Sequence, residues 1–379
     1  MLAVEWVAGL LCASSAGYQA ATLVGAVRWR TKKRYIPLEP LPPVTILKPL
    51  CGVDPHLEEN LRSFFSLDWP HLQIICGALD AADPALAVAQ KVAADYPHVD
   101  IEIVAGPPEI GLNRKVANLV GMLPHSKHDL IVLCDSDMRA RPEYLERVTA
   151  PFADPGVGLV TCLYRGVDTV GLASKLEAIG IGAGFAPSVL VAALGGSIRF
   201  AFGSTIAMRK SDLAAMGGFE ALKDELADDY LLGAGVSKLG KRVELSDYVI
   251  DDVMGRQSLR DMWKRRLRWA KTVRAMQPAG YAGSFVTYTT AISMLAATAN
   301  GFQSGWLIAC GALIGLRILC VSIVAALIQQ ESVMRNLLLL PVSDLLDFAL
   351  WVASYFGREI EWRGQRYRLG DRGRLEKLY

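Results

Sequence analysis

Residues 129–138 read "DLIVLCDSDM". Five apolar residues run straight into two carboxylates, Asp135 and Asp137, separated by one serine. In an extended segment, residues two apart point to the same side. Two carboxylates side by side at a strand end suit a hard cation. Magnesium is typically held by one or two carboxylates, with phosphate oxygens and water completing its shell. The same residues also fit a solvated acidic turn with Ser136 as a helix cap.

Other residues could take part in the same chemistry. Asp80 ends the apolar run "LQIICGAL" (72–79). There it could accept a hydrogen bond from a nucleobase or ribose, or close an Asx turn before "DP" at 83–84. In "GLNRKVANL" (111–119), Arg114 and Lys115 open a helix. Basic side chains at a helix N-terminus suit phosphate, although surface charge has the same composition. "DELADDYLL" (224–232) gathers Asp224, Glu225, Asp228 and Asp229. These acids favour the positive end of a helix, and one of them could act as a general base toward an alcohol.

"SLRDMWKRRLRWAKTVRAM" (258–276) has Leu259, Met262, Trp263, Leu267 and Ala270 at helical spacing, with basic residues on the opposite face. That is the pattern of a helix lying in a membrane surface. Arg265, Arg268 and Trp269 stand at i, i+3 and i+4 and so share a face. The two arginines could neutralise a departing diphosphate, and Trp269 could wall an acceptor pocket.

These residues need elements to position them. Short apolar runs at 44–50, 72–79, 100–106 and 130–134 alternate with helical patterns at 55–67, 83–96 and 114–123. Such alternation predicts a mostly parallel sheet covered on both faces. Ligands then bind beyond the carboxyl ends of the strands, where Asp80 and Asp135 both fall. "FAFGSTIAMRK" (200–210) resumes strand character.

The chain has 379 residues, 52% of them apolar, and a formal charge of +2. The near-neutral charge provides no general field for nucleic acid. Seven cysteines without a CxxC pair predict scattered reduced thiols rather than a disulfide framework. The apolar residues gather at the two ends. Residues 4–27 are long enough to span a bilayer, and "RWRTKKR" (28–34) follows. This order predicts an anchor with residue 28 onward in the cytosol. Further spans are predicted at 284–303, 306–328 and 337–356, the last carrying Asp344 and Asp347. Three full crossings would put the basic tail from Arg358 outside, so one of these segments is expected not to cross. Residues 178–198 are apolar but contain several glycines and Pro187. That composition predicts a buried or interfacial segment rather than a spanning helix. The predicted organisation is therefore an anchor (1–27), a basic, proline-rich linker (28–43), a cytosolic catalytic domain (44–257), an interfacial helix (258–280), membrane segments (281–357) and a basic cytosolic tail (358–379).

Taken in order, these motifs resemble the ceramide glucosyltransferases. That family's pattern is three spaced aspartates followed by [Q/R]-x-x-R-W. It is met by Asp80 in "GALD", Asp135 in "CDSD", Asp229 in "LADDY" and "RRLRW" at 265–269. "LKPLCGVDPHLEENL", "FAFGSTIAMRKSDLAAMGGF" and "WRGQRYRL" are similar as well, so the resemblance covers nearly the whole chain. It implies an α/β GT-A type nucleotide-sugar domain with N-terminal and C-terminal transmembrane helices. It also implies inverting transfer of a hexose from a UDP-sugar, UDP-glucose, to the hydroxyl of ceramide. By the resemblance Asp80 binds uridine; Lys115, from its place at a helix start, is expected to join Asp80 and Asp135 in holding the donor. Asp135 and Asp137 hold a divalent metal, magnesium or manganese. Asp229 is the base, with Asp228 beside it as a second candidate. Arg265, Arg268 and Trp269 serve the leaving group and acceptor. The implied placement is a multi-pass protein of a bacterial cytoplasmic membrane with its catalytic domain in the cytosol. Three other readings share parts of the pattern: a hopanoid-modifying transferase using UDP-N-acetylglucosamine, a processive polysaccharide synthase, and a non-catalytic nucleotide-binding scaffold.

Overall fold

The computed structural model describes residues 2–106 and 110–378. Met1 and Tyr379, the outermost residues of the predicted anchor and tail, lie outside them. The chain forms two compact units.

The first unit comprises Lys33–Tyr164, Gly195–Gly255 and Gly373–Tyr379. Its sheet has eight strands: β1 (Val44–Pro49), β2 (Leu72–Ala78), β3 (Asp100–Ala105), β4 (Leu130–Leu133), β5 (Met138–Arg139), β6 (Val157–Val170), β7 (Ile206–Arg209) and β8 (Arg242–Arg256). Their order is β3-β2-β1-β4-β7-β6-β8-β5. The first four strands in that order are parallel, with Ile46 opposite Ile74 on one side and Val132 on the other. All seven residues of β2 are buried. A continuous apolar run, rather than an alternating one, is what a strand covered on both faces requires.

The predicted helices form at Leu57–Phe65, Pro84–Ala93 and Arg114–Met122. Two of them have clear N-terminal caps. Asp83 accepts from the Ala85 amide with Pro84 following, and Asn113 accepts from the Val116 amide. A side-chain acceptor there satisfies an amide that the helix itself cannot. The core between helices and sheet includes Ile46, Leu61, Phe64, Ile74, Val132 and Tyr144. Burying each such side chain contributes about 1.5–3 kcal/mol. Phe64 meets Tyr144 edge-on at 5.5 Å.

Two features of this unit depart from expectation. Only Ile206–Arg209 of residues 200–210 is strand. Before it, the Thr205 amide donates to the Phe202 carbonyl, so the chain turns at Gly203. The long strands β6 and β8 also escape a search for apolar runs, because polar residues interrupt them.

The second unit comprises Met1–Lys32, Arg165–Leu194 and Arg256–Arg372. Residues Arg165–Leu194, expected in the 44–257 domain, belong here instead. Among the described residues, four helices are long and apolar enough to cross a membrane: Leu2–Thr31, Leu172–Gly195, Ser304–Leu327 and Leu337–Ser354. The span predicted at 284–303 is corrected. Its apolar helix, Thr289–Ala299, has 11 residues. At ~1.5 Å per residue it reaches about 16 Å, half a hydrocarbon core.

The glycine-rich segment is also more helical than its composition suggested. It runs as α-helix Leu172–Ile179, π-helix Gly180–Phe185, α-helix Ala186–Ala192 and a last 3-10 turn. The π-helical turn absorbs the glycines, and Pro187 falls in the first turn of the next α-helix. A missing N–H is tolerated in a first turn. Leu259–Met276 is one helix, capped by Ser258, whose hydroxyl accepts from the Asp261 amide. The tail folds into an antiparallel hairpin, Glu359–Trp362 with Gln365–Leu369.

Candidate active site

The parallel strands deliver their acids to one edge. Asp80 follows β2 and is exposed, and its carboxylate accepts from the Ala82 amide at 2.9 Å. Asp135 follows β4. The chain does not stay extended through Asp137, as the spacing argument assumed. The Met138 amide donates to the Asp135 carbonyl at 3.3 Å, so residues 135–138 make a turn. Between β2 and β4 lies β1, which contributes Lys48. This lysine is fully buried over the Phe64 ring, 3.9 Å from its centroid, and donates to the Asp135 carbonyl at 2.5 Å.

Lys115 is the counter-ion of the strand-end acid. Its ammonium lies 2.5 Å from Asp135 Oδ1 and 4.0 Å from Asp228 Oδ2. Burial alone would lower its proton affinity, but Asp135 and Asp228 outweigh burial and hold it above the ordinary lysine value. The helix Asp228–Lys238 supplies two further acids from its first turn. Asp228 accepts from Asn113 Nδ2 at 3.2 Å. Asp229 accepts from the Gly203 amide at 3.1 Å through one oxygen and from the Tyr230 amide at 2.7 Å through the other. Burial, reinforced by Asp228 and opposed by Lys115, pushes the Asp229 carboxyl up to about 6. Burial also raises Asp228, despite Lys115.

Gly203 ties these groups together. Its carbonyl accepts from the Asp135 amide at 3.2 Å. A Cβ there would fall 2.6 Å from Asp135 Oδ2 and 2.9 Å from Lys115 Nζ. A larger residue there would push the Asp135 carboxylate and the Lys115 ammonium from these positions.

Asp135 and Asp137 can be tested as cation ligands. Asp137 Oδ1 is buried without a hydrogen-bond partner. Burial, then the charges of Asp135 and Asp54, push its carboxyl up to about 6 against the pull of Lys48. An acidic oxygen with no donor, in a negative surrounding, fits a cation. Among the described residues no three His, Cys, Asp or Glu side chains converge as a closed cage. A two-carboxylate site of this kind suits a cation whose shell is completed by phosphate and water.

Arg265, Arg268 and Trp269 belong to the apolar unit. Although they share a helix face, the two arginines have different partners. Arg265 Nε donates to Glu177 at 2.8 Å, and its Nη2 bonds Glu177 and Gln257. Arg268 lies over the Trp362 ring at 5.8 Å. Trp269 is 37% exposed, with Arg265 5.8 Å from its ring centre.

Several residues of these clusters were not singled out from sequence. Lys48 carried a signal, since a lysine inside "VTILKPL" is out of place unless it has a partner. Gly203 in "FGST" was readable as a turn. Asn113 was readable as a helix cap, but its link to Asp228 was not; Asp54, bonded to the Ser136 hydroxyl at 2.5 Å, and Glu177 gave no local signal, because their partners are distant in sequence.

The chain is 26% identical to ceramide glucosyltransferase 1 of Caenorhabditis elegans over 251 residues, covering 66% of this chain and 54% of that protein. It is 36% identical to the ceramide glucosyltransferase of Komagataella phaffii over 113 residues, covering 28% and 22%. It thus spans about half the length, or less, of these curated relatives. The mannosyltransferase PcManGT from Pyrobaculum calidifontis, solved in complex with GDP-Man and Mn2+, superposes with a TM-score of 0.59 at 19% identity, over 93% of this chain and 99% of that one. That likeness supports the GT-A type fold. The model of glycosyl transferase family 21 matches residues 7–375. With nearly its whole length matched, the chain belongs to glycosyl transferase family 21, the family of the ceramide glucosyltransferases.

Proposed function

We propose that this chain is an inverting glycosyltransferase that moves glucose from UDP-glucose to the hydroxyl of ceramide at a membrane surface. The observation that carries the proposal is the Asp229 carboxyl, held by the Gly203 and Tyr230 amides and pushed up to about 6. It is ionised at neutral pH, yet more basic than an ordinary aspartate. Those are the properties of a general base for a weakly acidic alcohol. Asp228, held by Asn113 through one oxygen and 4.0 Å from Lys115 through the other, is the second candidate.

In the proposed reaction Asp229 takes the proton of the lipid hydroxyl. The hydroxyl oxygen bonds to the anomeric carbon as the bond to UDP breaks. One displacement by the acceptor itself inverts that carbon and needs no enzyme nucleophile. Lys115, at the N-terminus of the helix Arg114–Met122, supplies positive charge for the phosphates. Asp80 accepts from the uridine. Arg265 and Arg268 serve the leaving diphosphate, and Trp269 borders the acceptor. Asp135 and Asp137 would hold magnesium or manganese, which when bound offsets charge on the diphosphate. The basic run Arg28–Arg34 supports a cytosolic catalytic domain on a multi-pass membrane protein.

The test is transfer by purified protein in lipid nanodiscs. UDP release from UDP-glucose should require ceramide and yield a lipid heavier by one hexose. UDP release without a glycosylated lipid would contradict the acceptor. No release with any UDP-sugar would contradict the reaction.

A further inference from the structure

Among the described residues of the apolar unit, Arg317 and Asp344 form a buried and fully satisfied ion pair, whereas Arg266 and Asp347, 12% and 18% exposed, form a partly buried pair that is not fully satisfied. Arg317 meets both oxygens of Asp344 at 3.2 and 2.9 Å, and also the Ala183 carbonyl and Gln19. Asp344 takes a further bond from Thr290 at 2.7 Å. That network is complete and needs no ligand. Arg266 differs. It pairs with Asp347 through Nη2, while its Nη1 is buried with no hydrogen-bond partner. A buried guanidinium N–H without a partner is uncommon enough to need an explanation.

Three independent features surround this group. Arg266 and Asp347 lie against the π-helical turn Gly180–Phe185. Such turns concentrate at functional sites. A side chain at Gly180 would collide with the Arg266 guanidinium as it stands, so the arginine would have to shift. Gly184 is different, because a Cβ there would meet only Asp347 Oδ2, at an ordinary 3.8 Å. The second carboxylate oxygen of Asp347 therefore lies beside a glycine position with room for one more methyl group. Finally, Phe348 and Trp351 on the Asp347 helix pack at 6.0 Å, and Tyr288 of another segment joins Phe348 at 5.8 Å. Rings of this kind suit the level where lipid heads meet chains.

We propose that Arg266 and Asp347 form the subsite that reads the polar head of the acceptor lipid. Arg266 Nη1 donates to a carbonyl oxygen, and Asp347 accepts from a neighbouring N–H or O–H. The matching ligand is a lipid whose head combines an amide with hydroxyls, and the apolar chains lie along the aromatic side. The inference rests on the glycosyltransferase reading and deepens it by naming what selects the acceptor.

The experiment is binding of fluorescent ceramide to the full chain in phosphatidylcholine nanodiscs without nucleotide. Diacylglycerol with the same label and chains, which lacks the amide, is the comparator. Wild type should bind the ceramide about 10-fold more tightly. Arg266→Lys should lose most of that preference. Gly184→Ala, which adds one methyl at ordinary contact distance, should weaken ceramide binding several-fold with an unchanged melting temperature. UDP affinity should stay within about twofold in both variants. Equal binding of the two lipids by wild type, or unchanged ceramide affinity in both variants, would overturn the subsite. Wild type that binds ceramide selectively but never releases UDP would instead overturn the proposed reaction and leave the subsite standing.

Discussion

Asp229 and Asp137 are both held up to about 6, and the different work proposed for them matches their different surroundings. Asp229 has two amide donors fixing its direction, as a base must. Asp137 has an oxygen with none, which fits the cation-ligand role proposed for it. Replacing Asp229 by Asn should lower the transfer rate by about 10²–10⁴-fold. UDP affinity, measured by calorimetry, should change little. The rate of the wild type should fall about tenfold per pH unit below about 6, where Asp229 takes up its proton, and level off above it. The same shifts bear on stability. A carboxyl raised from about 4 to about 6 binds its proton more tightly in the folded chain than in the unfolded one. Stability from these two groups is thus full below about pH 4 and lost as pH rises through about 6. The melting temperature of protein free of metal and nucleotide should fall across that window. From sequence, the residue types and their order were legible, including Asp80, Asp135 and Asp229. The pairing of Lys115 with Asp135 was not, because it joins a helix start to a strand end 20 residues later.

The helix Arg114–Met122 shows how an element positions the site. Asn113 caps it through the Val116 amide, and its Nδ2 reaches the Glu225 carbonyl and Asp228. One side chain therefore fixes the helix that carries Lys115 and steadies the acidic turn that carries Asp229. Losing a cap costs about 0.5–2 kcal/mol. The lost link to Asp228 adds to that cost. Asn113→Ala should lower denaturant stability by about 1–3 kcal/mol and also weaken UDP binding. A pure stability effect would leave UDP affinity of the folded fraction intact. Elements were more legible than their junctions. Apolar runs gave β1 to β4 and their helices, since strands buried on both faces cannot be polar. Residues 135–138 turn where spacing suggested extension, because the Asp135 carbonyl accepts from Met138. Residues 284–303 looked like a span on composition, but the continuous helix there is only Thr289–Ala299.

At the scale of the whole molecule, the chain joins a sheet-based unit to an apolar helical one, each with its own buried charges. In the apolar unit Arg317 and Asp344 are 4% and 3% exposed, so their pair is a fixed cross-link rather than a surface contact. Removing one partner strands the other, at a cost of about 3–5 kcal/mol. Arg317→Leu should therefore sharply reduce the amount of folded protein recovered from membranes. Arg317→Leu combined with Asp344→Leu should recover much of it, which size-exclusion profiles in detergent would show. The sequence marked Asp344 and Asp347 as odd residues in a span, but their partners lay 27 and 81 positions away and needed the fold to be seen. The central claim is hexosyl transfer to a lipid with Asp229 as base. The most direct test is mass spectrometry of nanodisc lipids after incubation of wild type and Asp229→Asn with UDP-glucose and ceramide. The account predicts hexosylceramide from the wild type and almost none from the variant. Equal product from both would contradict it.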